Sequence, residues 1–196
     1  MRDRPGRRGA VLIGLVAAVA TLLVGTGCGS HATSGPAGEQ NPAGDIPDNI
    51  AFVAFRPASG GFEVKVPEGW SRTDSGSAVV FTDKLNSVRI EAQPAAAAPT
   101  VDTAKATEVP TVAAGTANFV LGKVEQVHRS AGDAVLVTFR ADSPPDPVTG
   151  KVIRNSVERY EFFHNGTSVV LTLSGPEGAD NVDPWRTVTD SLRWLS

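Results

Sequence analysis

Cys28 is the only cysteine in this 196-residue chain, and its thiol is the side chain best placed for covalent chemistry. Arg2, Arg4, Arg7 and Arg8 precede an apolar run from Ala10 to Val24, and the small residues Gly25-Thr26-Gly27 then lead directly into Cys28. A basic start, a short apolar stretch and a small-residue cleavage site describe a secretory signal peptide. The apolar run is about fifteen residues, short of the roughly twenty that span a bilayer as a helix. The thiol therefore stands at the first position after an expected cut. With no second cysteine there is no internal disulfide, and the exported domain has to stand on its core alone.

Other chemistry is sparse. His31, His128 and His164 are the only histidines, and none has a partner at metal-ligand spacing. Neither Ser75-Gly76-Ser77 nor Leu173-Ser174-Gly175 imitates a nucleophile elbow, and the glycines form no phosphate-binding loop. Arg154, Glu158, Arg159 and Glu161 put both signs of charge on one strand, which reads as a solvated, cross-paired sheet face. The sequence thus predicts no enzyme, no cofactor and no metal site. Recognition has one candidate, the segment from Asp142 to Lys151. Its Pro144, Pro145 and Pro147 reduce the entropy lost when a loop is held for a partner. Asp146 and Lys151 are its candidate polar contacts, with Arg154 and Tyr160 expected exposed beside them.

Alternating patterns position these residues. Phe62, Val64 and Val66 alternate with Glu63 and Lys65 in a half-buried strand. The turn Pro67-Glu68-Gly69-Trp70 follows, with Trp70 closing the core. Further strands are expected over 78–82, around Val88, Ile90 and Ala92, over 119–129 and over 134–141. A hairpin of 152–164 with 168–174 turns at Asn165-Gly166, the pair favoured in a type I′ turn. Asn165-Gly166-Thr167 also fits a glycosylation sequon, but the turn is its expected meaning. A short helix is expected over 101–109, ended by Pro110. A second is capped by Asp183, has Pro184 at its first position, and carries Trp185, Val188, Leu192 and Leu195 on one face. Trp194 faces away from that row and is read as a wrapped core position or a surface contact. This order predicts an α+β domain with a mostly antiparallel sheet flanked by helices.

Three regions follow: a signal peptide (1–27), a tether (28–49) rich in Gly, Ser, Ala, Pro and Asn, and one globular domain (50–196). Residues 1–27 hold four of the 18 basic and one of the 21 acidic residues, which leaves 14 and 20 and a formal net charge of −6. No basic cluster survives, so nucleic-acid binding has no support.

The Gly25-Thr26-Gly27-Cys28 junction resembles the lipobox of bacterial lipoproteins, with Gly25 where that family prefers leucine. The resemblance implies a diacylglycerol on the Cys28 thiol, further acylation (palmitate among the acyl groups), and anchoring to the outer face of the cell membrane. Plain secretion after Gly27 is the alternative. From Phe62 through Pro67-Glu68-Gly69-Trp70, then Ala78 to Asp83 and Asn86 to Ile90, the chain resembles the opening of a PsbP-like domain. Trp185 to Trp194 is similar to that family's closing helix, with Leu192 in place of its phenylalanine. That resemblance implies the α/β/α sandwich shared with the Ran-binding Mog protein and used by actinobacterial envelope lipoproteins. It carries no functional residues across. The expected function is a lipid-anchored, non-catalytic adaptor for an envelope protein. The alternative is a small-molecule or lipid carrier with a ligand between sheet and helix.

Overall fold

The computed structural model describes residues 44–195. Cys28 and most of the expected tether lie outside them. Ten strands and four helical segments follow one another along the described residues. The strands are β1 (Phe52–Phe55), β2 (Phe62–Pro67), β3 (Ser71–Ser75), β4 (Ala78–Asp83), β5 (Asn86–Pro94), β6 (Val120–Arg129), β7 (Gly132–Asp142), β8 (Arg154–His164), β9 (Thr167–Pro176) and β10 (Arg193–Trp194). Helix α1 (Val101–Thr103) runs through a π-helical segment (Ala104–Glu108) into α2 (Val109–Ala114), and α3 spans Val182–Asp190. All strand pairings are antiparallel. A seven-stranded sheet has the order β3-β4-β5-β9-β8-β7-β6, and a small sheet has the order β1-β2-β10.

Each long strand of the large sheet buries alternate residues on opposite faces. On one face Val88, Ile90, Leu136, Tyr160, Phe162, Val169, Leu171 and Leu173 form a core with Phe62, Val64 and Val66 of β2 and Trp185, Val188 and Leu192. On the other, Val135, Val137, Phe139, Ala141 and Val157 pack against Ala104, with Val109 and Val112 at its margin. Helices therefore cover both faces, as expected.

Two helix boundaries differ from expectation. The first helix does not stop at Pro110. A proline ring crowds the carbonyl four residues back, here Ala106, and lacks the N–H for that bond. The π-helical segment just before it widens the turn and lets the helix run on to Ala114. In α3 the N-cap position is Asn181, two residues before Asp183, and its side chain caps no helix N–H because it is committed elsewhere. Leu192 is buried beyond the helix, and Trp194 belongs to β10.

That commitment ties three parts of the fold together. Asn181 accepts from the Ile46 N–H (2.8 Å) and donates to the Gly44 carbonyl (3.1 Å) and to Asn86 Oδ1 (3.0 Å), while Asn86 donates to the same Gly44 carbonyl (2.8 Å). Ile46 is 4% exposed. Residues 44–49, read as tether, thus dock on the β4–β5 turn and the start of α3. Gly175 sits where a Cβ would lie 2.4 Å from Asn86 Oδ1 and 2.7 Å from Asn181 Nδ2, so only glycine admits the pair. Gly175→Ala should cost about 1–3 kcal/mol in urea denaturation and speed amide exchange over 45–50. An unchanged exchange rate there would detach the N-terminal segment from this junction.

Candidate functional site

The loop between β7 and β8 is built from its base upward. Arg154 donates to Asp142 Oδ1 (3.0 Å) and to the Asn118 carbonyl (2.6 Å), and the Asn118 amide donates to Asp142 Oδ2 (2.6 Å). The Asn118 and Arg154 hydrogen bonds hold the Asp142 carboxyl below the usual range. Beyond this clamp, Asp146 Oδ1 accepts from the backbone N–H of Thr149 (2.7 Å) and Val148 (3.1 Å) and from the Thr149 hydroxyl (2.8 Å). These bonds lower its pKa as well. The Asp146 N–H donates to the Lys151 carbonyl at 2.9 Å and closes the tip.

The four candidate contacts therefore separate. Lys151 is exposed. The Asp146 carboxylate is engaged in holding its own turn, and Arg154 is half-buried in the Asp142 clamp. Tyr160 is not exposed: it is 3% accessible and lies in the main core. The error has a clear cause. Tyr160 follows Glu158 by two residues and shares its face, and that face is the one covered by α3. Its hydroxyl receives from Arg129 (3.0 Å) and donates to Glu158 (2.8 Å). The charges of β8 also divide between faces. Glu158 faces α3, while Arg159 turns to the other helix and pairs with Glu108. Glu63, expected on an open face, is 5% exposed because Arg56 and Arg193 clamp it from both sides.

What the sequence reading missed at this loop is apolar. Val148, at its tip, is 90% exposed. Among the described residues, seven large apolar side chains are exposed, and six of them (Leu85, Val120, Leu121, Val148, Val152 and Val182) lie at one end of the large sheet. The pairings fix that end. Asn86 follows the β4–β5 turn, Ser87 opposes Ser174, Asn155 opposes Pro176, Asp142 opposes Arg154, and Val120 opposes Arg140. Five strand spacings of about 4.8 Å separate β4 from β6, so the end is roughly 24 Å wide. The chain also enters the domain here, at Gly44. Scattered valines carry no signal without this register, so composition alone could not show the cluster.

The depressions among the described residues are open clefts rather than an enclosed apolar cavity. One of about 430 Å³ lies at Asn118, Asp142 and Arg154 beside the loop, and one of about 320 Å³ lies at the opposite end of the sheet, by His164 and Trp194. No group of three His, Cys, Asp or Glu residues gathers as a metal site among the described residues. No helix among them is long and apolar enough to cross a membrane.

No family model matches the chain, and no curated protein matches it in sequence. Solved structures do match in shape. The cyanobacterial PsbP protein of Synechocystis sp. PCC 6803 aligns over 83% of this chain and 99% of its own, with a TM-score of 0.53 and 16% identity. A Bacteroides thetaiotaomicron protein gives a TM-score of 0.50 at 12% identity over 73% of this chain, which spans only 48% of that longer one. LpqN of Mycobacterium tuberculosis, a protein involved in cell envelope biogenesis, has a TM-score of 0.43 at 13% identity, covering 76% of this chain and 93% of its own. The domain has the PsbP-like α+β fold.

Tyr160, the only tyrosine, allows a direct test of its placement. Burial first, then the Glu158 charge and hydrogen bond, push its phenol from 10.0 up to about 12, against the opposing pull of Arg129. The unfolded chain releases this proton near pH 10 and the folded chain keeps it to about 12. The stabilising neutral phenol is therefore complete below pH 10 and its contribution is lost as the pH rises through that window. Tyrosinate absorbance should titrate near 12 in the native chain and near 10 in urea. A native midpoint at 10 would mean that the phenol is solvated.

Proposed function

We propose that this chain is an exported, lipid-anchored, non-catalytic binding module of the cell envelope. In this reading Cys28 carries the lipid on the outer face of the membrane, and the loop end of the domain binds an envelope protein. The observation that carries the binding surface is the gathering of Leu85, Val120, Leu121, Val148, Val152 and Val182 at the end from which the proline loop projects. Isolated exposed apolar side chains are ordinary, whereas a group on one surface marks interaction. The loop is held in shape by the Asp146 turn and the Asp142–Arg154 clamp, so little order remains to be imposed on binding. Lys151 supplies a charged rim beside Val148 and Val152.

The anchor geometry supports the same end. Gly44 is sixteen positions beyond Cys28, a reach of at most about 55 Å when fully extended. The chain enters the domain at Gly44, on the end that carries the apolar group. A partner embedded in or resting on the same membrane is within reach. The carrier reading instead calls for a ligand between sheet and helix, where a cleft of about 280 Å³ lies against Trp185, Val120 and Leu121.

A photocrosslinker at Val148 in intact cells should capture one specific envelope protein, and Val148→Asp should weaken that association about tenfold, roughly 1.4 kcal/mol. Equal capture from a probe at Gly76, on the opposite end, would sink the assignment of the surface. Cys28→Ser should block lipidation and release the protein from the membrane fraction. Full membrane retention of that variant would refute the anchor while leaving the binding surface standing.

A further inference from the structure

The opposite end of the large sheet carries a cleft of different chemistry. It opens between the Ser59-Gly60-Gly61 turn, the end of β5 and the tip of the β8–β9 hairpin, with a volume of about 320 Å³. Its aromatic wall is a stacked pair: the His164 and Trp194 rings lie 5.1 Å apart at 25°. Trp194 is fixed in place, because its indole N–H donates to the Ala131 carbonyl (3.2 Å) and its ring meets Phe62 edge-on at 6.5 Å. The facing rim is made of neutral hydrogen-bonding groups, the Ser59 and Thr167 hydroxyls and the Gln93 and Asn165 amides. Gly60 and Gly61, at φ +72° and +84°, have no heavy atom within 4 Å of where a Cβ would stand, so the backbone there is open to close approach.

The charge pattern of this lining is distinctive. Among its described residues the His164 imidazole is the one titratable side chain, and there is no carboxylate, ammonium or guanidinium. Four other depressions each include at least one charged side chain: Arg140, Arg154, Asp183 and Arg159 are examples. A charged ligand seated in the neutral cleft would lose water without gaining a counter-charge. A purely apolar ligand would leave the hydroxyl and amide groups unpaired. A ring whose faces are C–H and whose edges are hydroxyl satisfies both walls, since flat aromatic groups take the faces and amides take the edges. The volume is at the lower end of the roughly 300–1,000 Å³ of ligand sites, which suits a mono- or disaccharide unit.

We propose that the cleft between Trp194–His164 and the Gln93–Asn165 rim is a binding site for an uncharged saccharide. The site lies at the end of the sheet away from Gly44 and stands independently of lipidation and of the protein-binding surface. Binding here is recognition alone and breaks no bond in the sugar.

The test follows the three tryptophan indole N–H signals of the full-length chain by NMR, in a sugar-free zwitterionic detergent. Cellobiose, maltose and N,N′-diacetylchitobiose are the probes. At least one should shift the Trp194 signal saturably, with a Kd on the order of 1 mM. His164→Ala and Gln93→Ala, both at the rim, should each weaken that binding about tenfold or more, while Lys151→Ala at the far end leaves it unchanged. Two variants guard against a local folding defect in either one, and unchanged Trp70 and Trp185 signals confirm an intact core. The proposal is overturned if none of the three sugars gives a saturable shift. It is equally overturned if both rim variants bind as the parent does, or if glucose 6-phosphate binds more tightly than the neutral sugars.

Discussion

Seven antiparallel strands make a sheet with two apolar faces, and this chain has few residues left with which to cover them. That constraint organises the rest of the molecule. One face is closed by nine-residue α3 together with β2 of the small sheet, through Trp185, Val188, Phe62 and Val64. The other is closed by the helical stretch over Val101–Ala114, which reaches its full length only because a π-helical turn absorbs Pro110. Neither cover is long enough to be stable alone, since isolated helices of this length are marginal in water. Both depend on burial against the sheet, and the sheet in turn depends on being covered. The Asn86–Asn181 pair with Gly175 is where this mutual dependence is pinned. One buried junction holds the incoming chain, the β4–β5 turn and the start of α3.

Much of this was legible because a half-buried strand writes itself as alternation. Val88, Ile90 and Ala92 against Arg89 and Glu91 fixed β5, and Asn165-Gly166 fixed the hairpin, with both residues at positive φ. The failures share a cause. β3 is Ser-Arg-Thr-Asp-Ser, fully exposed, and exists only as the edge partner of β4. β1 owes its place to pairing with β2. β3 has no local hydrophobic signature, because tertiary pairing rather than periodicity selects it, whereas Phe52-Val53-Ala54-Phe55 of β1 is a short apolar run without alternation. Tyr160 was misplaced for the complementary reason. Ser156 and Glu158 on its face are polar and drew the reading outward, whereas Phe162, two residues on and stacked against it at 6.4 Å, marks the buried half of the strand.

The carboxylates show why charge patterns misled where apolar patterns succeeded. Asp142, Asp146 and Glu63 are each held by hydrogen bonds to arginine, asparagine or backbone groups. From sequence, such residues look available for contact with a partner. In the structure their acceptor capacity is spent on local geometry, and the lowered pKa values of these groups follow from that use. What the loop leaves exposed is therefore Val148, Val152 and Lys151 rather than the acceptor oxygens of its acids. The structural role of Asp146 is also what makes Val148 a surface feature.

The two ends of the sheet are thereby unlike in a way that strand direction alone enforces. In an antiparallel sheet the connections alternate between ends, so successive loops from one end share a surface although they are far apart in sequence. The β4–β5 turn, the β7–β8 loop and the approach to α3 fall together on the end where the chain enters, and they are long or apolar. The β3–β4, β6–β7 and β8–β9 turns fall on the other, and they are short, leaving room for β10 and the Ser59-Gly60-Gly61 turn to wall off a neutral cleft. The cleft therefore lies at the end of the sheet opposite Gly44. Recognition of a membrane-side protein by one end and of an uncharged sugar by the other would then require no movement within the fold, only that the packed sheet between them stay rigid.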